Sequence, residues 1–529
     1  MFLQKHLSLR EKAAQTAVIL TAKDRFVDQP VGGIFIGAQV ITEVEDGVSL
    51  VRQTVERYRR NMKTPPLVIS DFENGCGSMI AGLTPMPYGM SLGAANSEQL
   101  AYDYGKATAL EALTAGANAT FSPVCDLNKN FRNPLVNVRA ISDDPDHAIP
   151  LLKQIIRGMQ ENGLAACAKH FPGDGIDWRD QHIITTVNSL SMEEWWRYSG
   201  RVFAELIGIG VSMIMPGHIS LPAYQKVRKN GLALPATLSD ELLTGLLKGE
   251  MGFQGVVVSD ATMMGGFNGF YGSKAESEIE CFKAGCDLVL WPTDGYIDNL
   301  VSAIENGYIK ESRLDDALER IFALKEKYVS RTGDYPQLTE EQKRFVQGVQ
   351  KNTAEKSITL VKDRNRILPI GDKVKNILII TLCNHPPILR DAEALKIELE
   401  NRGFSVAYYV ERPEDDVFDR EAKNADLIIY AMYTRSFRPV GPIDFWGDKC
   451  WAIAKSYQYG QEKSVYVSFG NPYFANQYFE KAGTYVNAYT MLEPSVKAFA
   501  RALTGEIPFT EFSPVSLELN GGQPTACEK

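Results

Sequence analysis

The chain has 529 residues, 44% of them apolar and 23% charged, with a formal net charge of −9. A chain of this length and composition can fill a sizeable core without disulfides or metals. It has no long basic run and no basic patch interleaved with aromatics, which argues against nucleic acid as a partner, because phosphate binding needs clustered Lys and Arg.

The N-terminal stretch MFLQKHLSLREKAAQ lacks the apolar segment of a signal peptide. No apolar run reaches the roughly 18 residues that suggest a membrane span. The eight cysteines are scattered, none forms a CxxC pair, and several sit in apolar runs, as Cys167 does in LAACAKH. They read as buried free thiols of a reducing, cytoplasmic compartment.

Up to residue 330, short β-branched runs alternate with longer amphipathic stretches. The expected strands are TAVIL (16–20), GGIFIG (32–37), PLVIS (66–70), ATFSP (119–123), AACAK (165–169), VSMIM (211–215), GVVVS (255–259) and DLVLW (287–291). Near-continuous apolar strands separated by helices imply a parallel sheet covered on both faces. EQLAYDYGKATALEALTAG and HAIPLLKQIIRGMQENG carry helical periodicity, and Ser191 with Glu194 forms a capping box. Eight such β/α units are expected to form an N-terminal (β/α)8 TIM-type barrel over residues 1–330. An open doubly wound sheet has the same local pattern.

Residues 331–345, RTGDYPQLTEEQKRF, are polar and turn-rich and read as a linker. VQKNTAEKSITLVKD then reads as a helix. The strands NILIIT, FSVAYY, DLIIYAMY, SVYVSFG and TYVNAYT follow, so residues 346–529 are expected to form a smaller three-layer α/β sandwich with a flexible C-terminal tail. The whole chain is thus of the α/β class.

In a parallel α/β barrel the chemistry gathers at the C-terminal ends of the strands. Reading past each strand finds Asp71, then Asp126 and Arg139, then Lys169 and His170, then His218, then Asp260. The loop AKHFPGDGIDWRDQH holds two of the chain's six histidines together with Asp174, Asp177 and Asp180. Asp180 and His182 are separated by one residue, so the carboxylate can orient one ring nitrogen while the other faces a ligand. Asp260 follows a fully apolar strand, where a carboxylate is costly unless the site uses it. A carboxylate nucleophile plus an acid/base group is what a retaining glycosidase requires. A helix cap for Asp260 and a metal site for the Asp/His loop remain the alternatives at this level.

Several stretches together resemble glycoside hydrolase family 3, and within it the β-N-acetylglucosaminidase branch. They are SDFENGC (70–76), FSPVCDLNKNFRNPLVNVRAIS (121–142), KHFPGDG…DQH (169–182), MPGHISLPA, ALPATLSDELLTGLLKGEMGFQGVVVSD and SITLVKDRNRILPI (357–370). The resemblance spans most of the chain. It implies Asp260 as nucleophile, His182 with Asp180 as acid/base dyad, and Asp71, Arg139, Lys169 and His170 as contacts to the sugar, with His218 at the pocket rim. It implies no metal and no organic cofactor. The expected function is removal of terminal β-linked N-acetylglucosamine through a covalent glycosyl-enzyme. Phosphorolysis, a non-catalytic sugar-binding relative and a metal-dependent hydrolase are the rivals. The expected partner is a small carbohydrate, without nucleic acid or membrane, on a monomer or homodimer. Cys76 and Met79 depart from the family pattern, which has arginines there.

Overall fold

The computed structural model describes residues 7–21, 29–37, 46–60, 62–329, 335–384, 392–411, 413–434, 441, 443–518 and 524–525. Its contacts divide the chain into two compact units. The first takes Met1–Met86, Ala101–Asn130 and Ala148–Gln347, and the second Pro87–Leu100, Phe131–His147 and Gly348–Lys529. Residues 331–334 of the expected linker and most of the expected flexible tail lie outside the described residues.

Eight short strands organise the first unit: β1 (Ala17–Leu20), β2 (Gly33–Phe35), β3 (Leu67–Ser70), β4 (Ala119–Thr120), β5 (Cys167–Phe171), β6 (Met213–Pro216), β7 (Val256–Val257) and β8 (Val289–Leu290). Each overlaps one of the eight runs expected from the sequence. All are parallel. One sheet has the order β8-β1-β2-β3-β4 and the other β7-β6-β5. Single parallel bridges, Ala119↔Ala165 and Val258↔Leu288, join the two sheets at both ends. Val68, Ile69, Ile214 and Val257 are buried, as expected for strands with helices over them.

The helices Glu98–Ala115 and Pro145–Glu161 fall on the two periodic stretches. Met192–Arg197 starts at Ser191, whose side chain accepts from the Glu194 N–H while Glu194 reaches back to the Ser191 N–H. That reciprocal pairing satisfies two amides the helix leaves open.

In the second unit β9 (Thr359–Asp363), β10 (Asn376–Cys383), β11 (Ser405–Val410), β12 (Leu427–Tyr433), β13 (Ser464–Ser468) and β14 (Thr484–Asn487) form one sheet, ordered β9-β14-β13-β12-β10-β11. Only β9 runs antiparallel, against β14. Separate apolar clusters cover the two faces: Leu378, Tyr430 and Tyr466 belong to one, and Ile379, Ile429 and Val467 to the other.

Two sequence expectations change here. The helix Glu340–Ser357 begins inside the stretch read as linker. Thr339 and Gln342 explain it: Gln342 N–H donates to Thr339 Oγ1 (3.2 Å) and Thr339 N–H to Gln342 Oε1 (2.9 Å), a cap hidden in a polar run. The end of VQKNTAEKSITLVKD is strand β9 rather than helix, because Ile358, Thr359 and Val361 are β-branched and the sheet offers them a buried partner.

Candidate active site

Several ionisable residues of the first unit gather at or just past the C-terminal ends of its strands. Asp71 follows β3 directly. Lys169 lies within β5, and its Nζ reaches Asp71 Oδ1 at 2.9 Å and Glu73 Oε1 at 2.5 Å. The Lys169 side chain is almost wholly buried, so the two carboxylates balance its charge where water cannot. Burial raises the pKa of Asp71. Lys169 opposes this, while the negative charges of Glu73 and Asp260 add to it.

His170 follows Lys169, and its Nδ1–H donates to Asp126 Oδ2 at 2.7 Å. The other oxygen of Asp126 accepts the N–H groups of His170 (3.1 Å) and Asp174 (2.7 Å). Asp126, beyond β4, therefore ties the start of the glycine-rich loop to the strand before it.

In that loop His182 Nδ1 lies 2.8 Å from Asp180 Oδ1, which also accepts the His182 N–H at 2.8 Å. A carboxylate only accepts, so the ring proton sits on Nδ1 and Nε2 is left to exchange protons with a ligand. The Asp180 side chain is 1% exposed and that of His182 33%, so the pair has a buried anchor and a reachable tip. The loop is braced by Arg179, whose fork grips Asp177, while Asp177 accepts the Val187 N–H at 2.9 Å. Burial pushes the Asp177 pKa up, but these bonds outweigh it and hold the carboxyl below its ordinary value.

Asp260 stands past β7, partly exposed. Its Oδ1 accepts the Ala261 N–H at 2.7 Å. Burial acts against its charge, but the imidazoles of His218, His170 and His182, together with the Ala261 N–H, prevail and set its pKa below the ordinary aspartate value. An ionised, partly exposed carboxylate among imidazoles is suited to nucleophilic attack. The segment behind it meets the Asp180–His182 loop directly: Gly265 N–H donates to the His182 carbonyl (2.8 Å) and Gly266 N–H to the Gln181 carbonyl (3.2 Å). A Cβ at Gly265 would come 2.1 Å from the Ile183 carbonyl oxygen, so only glycine permits this approach.

One expected placement changes. His218 is fully buried rather than at a rim. Its Nε2–H donates to the Ala261 carbonyl (3.1 Å) and its Nδ1 pairs with Thr237 Oγ1 (2.9 Å), so both ring nitrogens serve the protein. Burial lowers its pKa against the pull of Asp260. Arg139 lies in the second unit, where its Nη1 donates to the Leu135 carbonyl at 3.0 Å. The other six expected residues, Asp71, Lys169, His170, Asp180, His182 and Asp260, all belong to the first unit.

Cys76 and Met79 are interior residues. The Cys76 thiol donates to the Thr108 carbonyl (3.3 Å), and burial pushes its pKa up. The sequence reading left Glu73, Gln181 and the Gly265–Gly266 pair without roles. Adjacent glycines beyond a strand were the one local signal of close backbone approach. Among the described residues no three His, Cys, Asp or Glu side chains are grouped to hold a metal ion, and no helix is long and apolar enough to cross a membrane.

Residues 8–324 match the family model "Glycosyl hydrolase family 3 N terminal domain". The chain is 32% identical over 518 residues to a β-N-acetylglucosaminidase/β-glucosidase of Cellulomonas fimi, covering 92% of this chain and 88% of that one. A β-hexosaminidase A of Pseudoalteromonas piscicida is 29% identical over 339 residues, 60% of this chain and 56% of that one. Among solved structures, the β-glucoside phosphorylase BglX superposes with a TM-score of 0.87 at 28% identity, covering 97% of this chain and 94% of that one. A family 3 β-N-acetylglucosaminidase from Paenibacillus sp. str. FPU-7 superposes with a TM-score of 0.83 at 26% identity, covering 97% and 100%.

Proposed function

Because the chain belongs to glycosyl hydrolase family 3 and is a glycosidase, we propose that it removes terminal β-linked N-acetylglucosamine from small glycosides by double displacement. The observation that carries this is the Asp180–His182 pair, held by hydrogen bonds to the segment that follows Asp260. Relatives named for N-acetylglucosaminide or hexosaminide hydrolysis support the choice of sugar.

In the first step Asp260 attacks the anomeric carbon while His182 Nε2 delivers its proton to the departing oxygen, so the C–O bond breaks as the enzyme–sugar ester forms. In the second, Nε2 takes a proton from water, the water oxygen attacks the same carbon, and Asp260 leaves. Two inversions retain the β configuration. Lys169 with Asp71, and His170 fixed by Asp126, hold the sugar hydroxyls and its orientation. We read the two parallel sheets as one eight-stranded (β/α)8 barrel, which the bridges Ala119↔Ala165 and Val258↔Leu288 support.

The acid/base group is an imidazole. Unlike a carboxylate it does not repel an anion, so phosphate could take the place of water, and the likeness to a β-glucoside phosphorylase favours testing this second reading. Aryl β-GlcNAc, β-Glc, β-GalNAc and β-Xyl substrates assayed with and without phosphate separate the readings. We expect the β-GlcNAc substrate to react best and to release free GlcNAc at a rate independent of phosphate. GlcNAc-1-phosphate as product would assign phosphorolysis, and a better rate on another sugar would overturn the sugar assignment. Asp260→Ala should lower turnover by about 10⁴-fold or more; unchanged turnover would remove Asp260 from the mechanism.

A further inference from the structure

We propose that Gln181, between the two members of the acid/base pair, is the positioning residue that holds the pair in place; this rests on the reading of Asp180 and His182 given above. Gln181 is 1% exposed. Its Oε1 accepts the His218 N–H at 2.7 Å, and its Nε2 donates to Asp174 Oδ2 at 3.0 Å. A backbone N–H can only donate and a carboxylate only accepts, so the amide has one orientation. Asp174 N–H in turn donates to Asp126 Oδ1, and Asp126 Oδ2 accepts from His170 Nδ1. One side chain thus links the pair's segment to the end of β6 and, through Asp174, to the strand ends that carry Asp126 and His170.

The site is shaped for this amide. A Cβ on Gly217 would stand 2.8 Å from Gln181 Oε1, so the residue before His218 is a glycine where the side chain passes. The Gln181 main chain is held too, its carbonyl accepting the Gly266 N–H.

The Asp180–His182 hydrogen bond is internal to the pair. It sets the ring's tautomer but does not fix where the pair stands relative to the sugar. Gln181 supplies that second constraint from inside the same three residues. Loss of its amide leaves the pair chemically intact but less firmly placed, with the backbone bonds from Gly265 and Gly266 still in position. The defect then falls on proton delivery to the leaving oxygen, and spares steps that need no proton.

Gln181→Met keeps the length and removes both hydrogen bonds. Methyl β-GlcNAc has a leaving group that needs a proton, and 2,4-dinitrophenyl β-GlcNAc has one that does not. For Gln181→Met we expect kcat on the methyl glycoside to fall on the order of 10²-fold. The burst-phase rate of dinitrophenol release, and kcat/KM on that substrate, report formation of the glycosyl-enzyme without proton donation and should change by less than about threefold, whereas its steady-state turnover falls because the water step uses the same His182 base. Equal losses in kcat/KM on both substrates, or none, would overturn the proposal, since a residue that merely supports the fold has no leaving-group preference. Gln181→Glu guards against misfolding: it keeps the acceptor for His218 N–H, but its ionised carboxylate opposes Asp174. Its deficit on the methyl glycoside relative to wild type should shrink as the pH falls and the new carboxyl protonates; a pH-independent deficit would count against the proposal. If wild-type enzyme turned over neither glycoside, the functional reading would fall by itself. Hydrogen exchange would then decide the positioning role: faster exchange at Ile183 and Ile184 in Gln181→Met supports it, and unchanged exchange refutes it.

Discussion

The roles proposed for Asp260 and His182 depend on their surroundings more than on their identity. Asp260 is held ionised by three imidazoles and one N–H against the cost of burial. His182 has its tautomer set by a buried carboxylate. Asp180→Asn should therefore leave the fold intact, because the amide oxygen can still accept the His182 N–H, while it weakens support for the charged ring. We expect kcat to fall on the order of 10²–10⁴-fold, with melting unchanged within about 2 °C. Lys169 invites a different test. Lys169→Met would leave Asp71 and Glu73 facing each other without their cation, in surroundings that already raise the pKa of Asp71. One carboxyl would then hold a proton more readily, and kcat/KM should drop more steeply at high pH, where the like charges reappear, than at low pH. A parallel loss at every pH would show that the lysine does not govern their ionisation. At this scale the sequence made positions legible: reading past strand ends and motif picked out Asp71, Lys169, His170, Asp180, His182 and Asp260, which all lie in the first unit, and the roles given them are those proposed above. His218 was misplaced because a histidine after a strand looks the same whether its ring turns toward a pocket or, as here, toward Ala261 and Thr237.

Elements meet in this site through backbone. The segment after β7 lies against the Asp180–His182 loop through Gly265 and Gly266, and the loop after β5 packs under the Leu127 carbonyl at Gly175, where a Cβ would stand 2.2 Å from that oxygen. Gly265→Ala should force the two segments apart. Displacement by about 1 Å is enough to lose on the order of 10²-fold in kcat. The circular dichroism of the folded protein should persist, and activity equal to wild type would show that the close approach is dispensable. The sequence displayed these glycines but not their partners, because a partner on a distant segment leaves no periodic trace. Helix ends behaved differently: Ser191 with Glu194, and Thr339 with Gln342, are local devices. The first was read correctly. The second was overlooked because its polar setting suggested a linker.

At the scale of the molecule, one costly buried charge lies away from the candidate site. Lys325, on the helix Glu311–Tyr328, is fully buried; its Nζ donates to Gln15 Oε1 at 2.6 Å, and burial lowers its pKa from 10.5 to about 7. Above pH 10.5 the amine is neutral in both the folded and unfolded chains. Between about 7 and 10.5 the unfolded chain binds the proton and the folded chain does not, so stability rises with pH across that window. Below about 7 the full cost is present. Denaturant midpoints of the wild type should climb across this window, and Lys325→Met should flatten the climb. An unchanged slope in the variant would assign the pH dependence to other groups. What the sequence determined by itself was whatever short-range chemistry encodes: the α/β class from alternating runs, the eight strand positions of the first unit, the capping box at Ser191, and the placing of ionisable residues beside strand ends. Tertiary structure alone decided the rest. It engaged both nitrogens of His218, assigned Arg139 to the second unit, paired β9 antiparallel to β14, and drew Gln181 between Asp174 and His218. The physical reason is common to these outcomes. Propensity, periodicity and capping act over a few residues, whereas hydrogen bonds between strand ends and the burial that shifts a pKa depend on segments that only folding brings together.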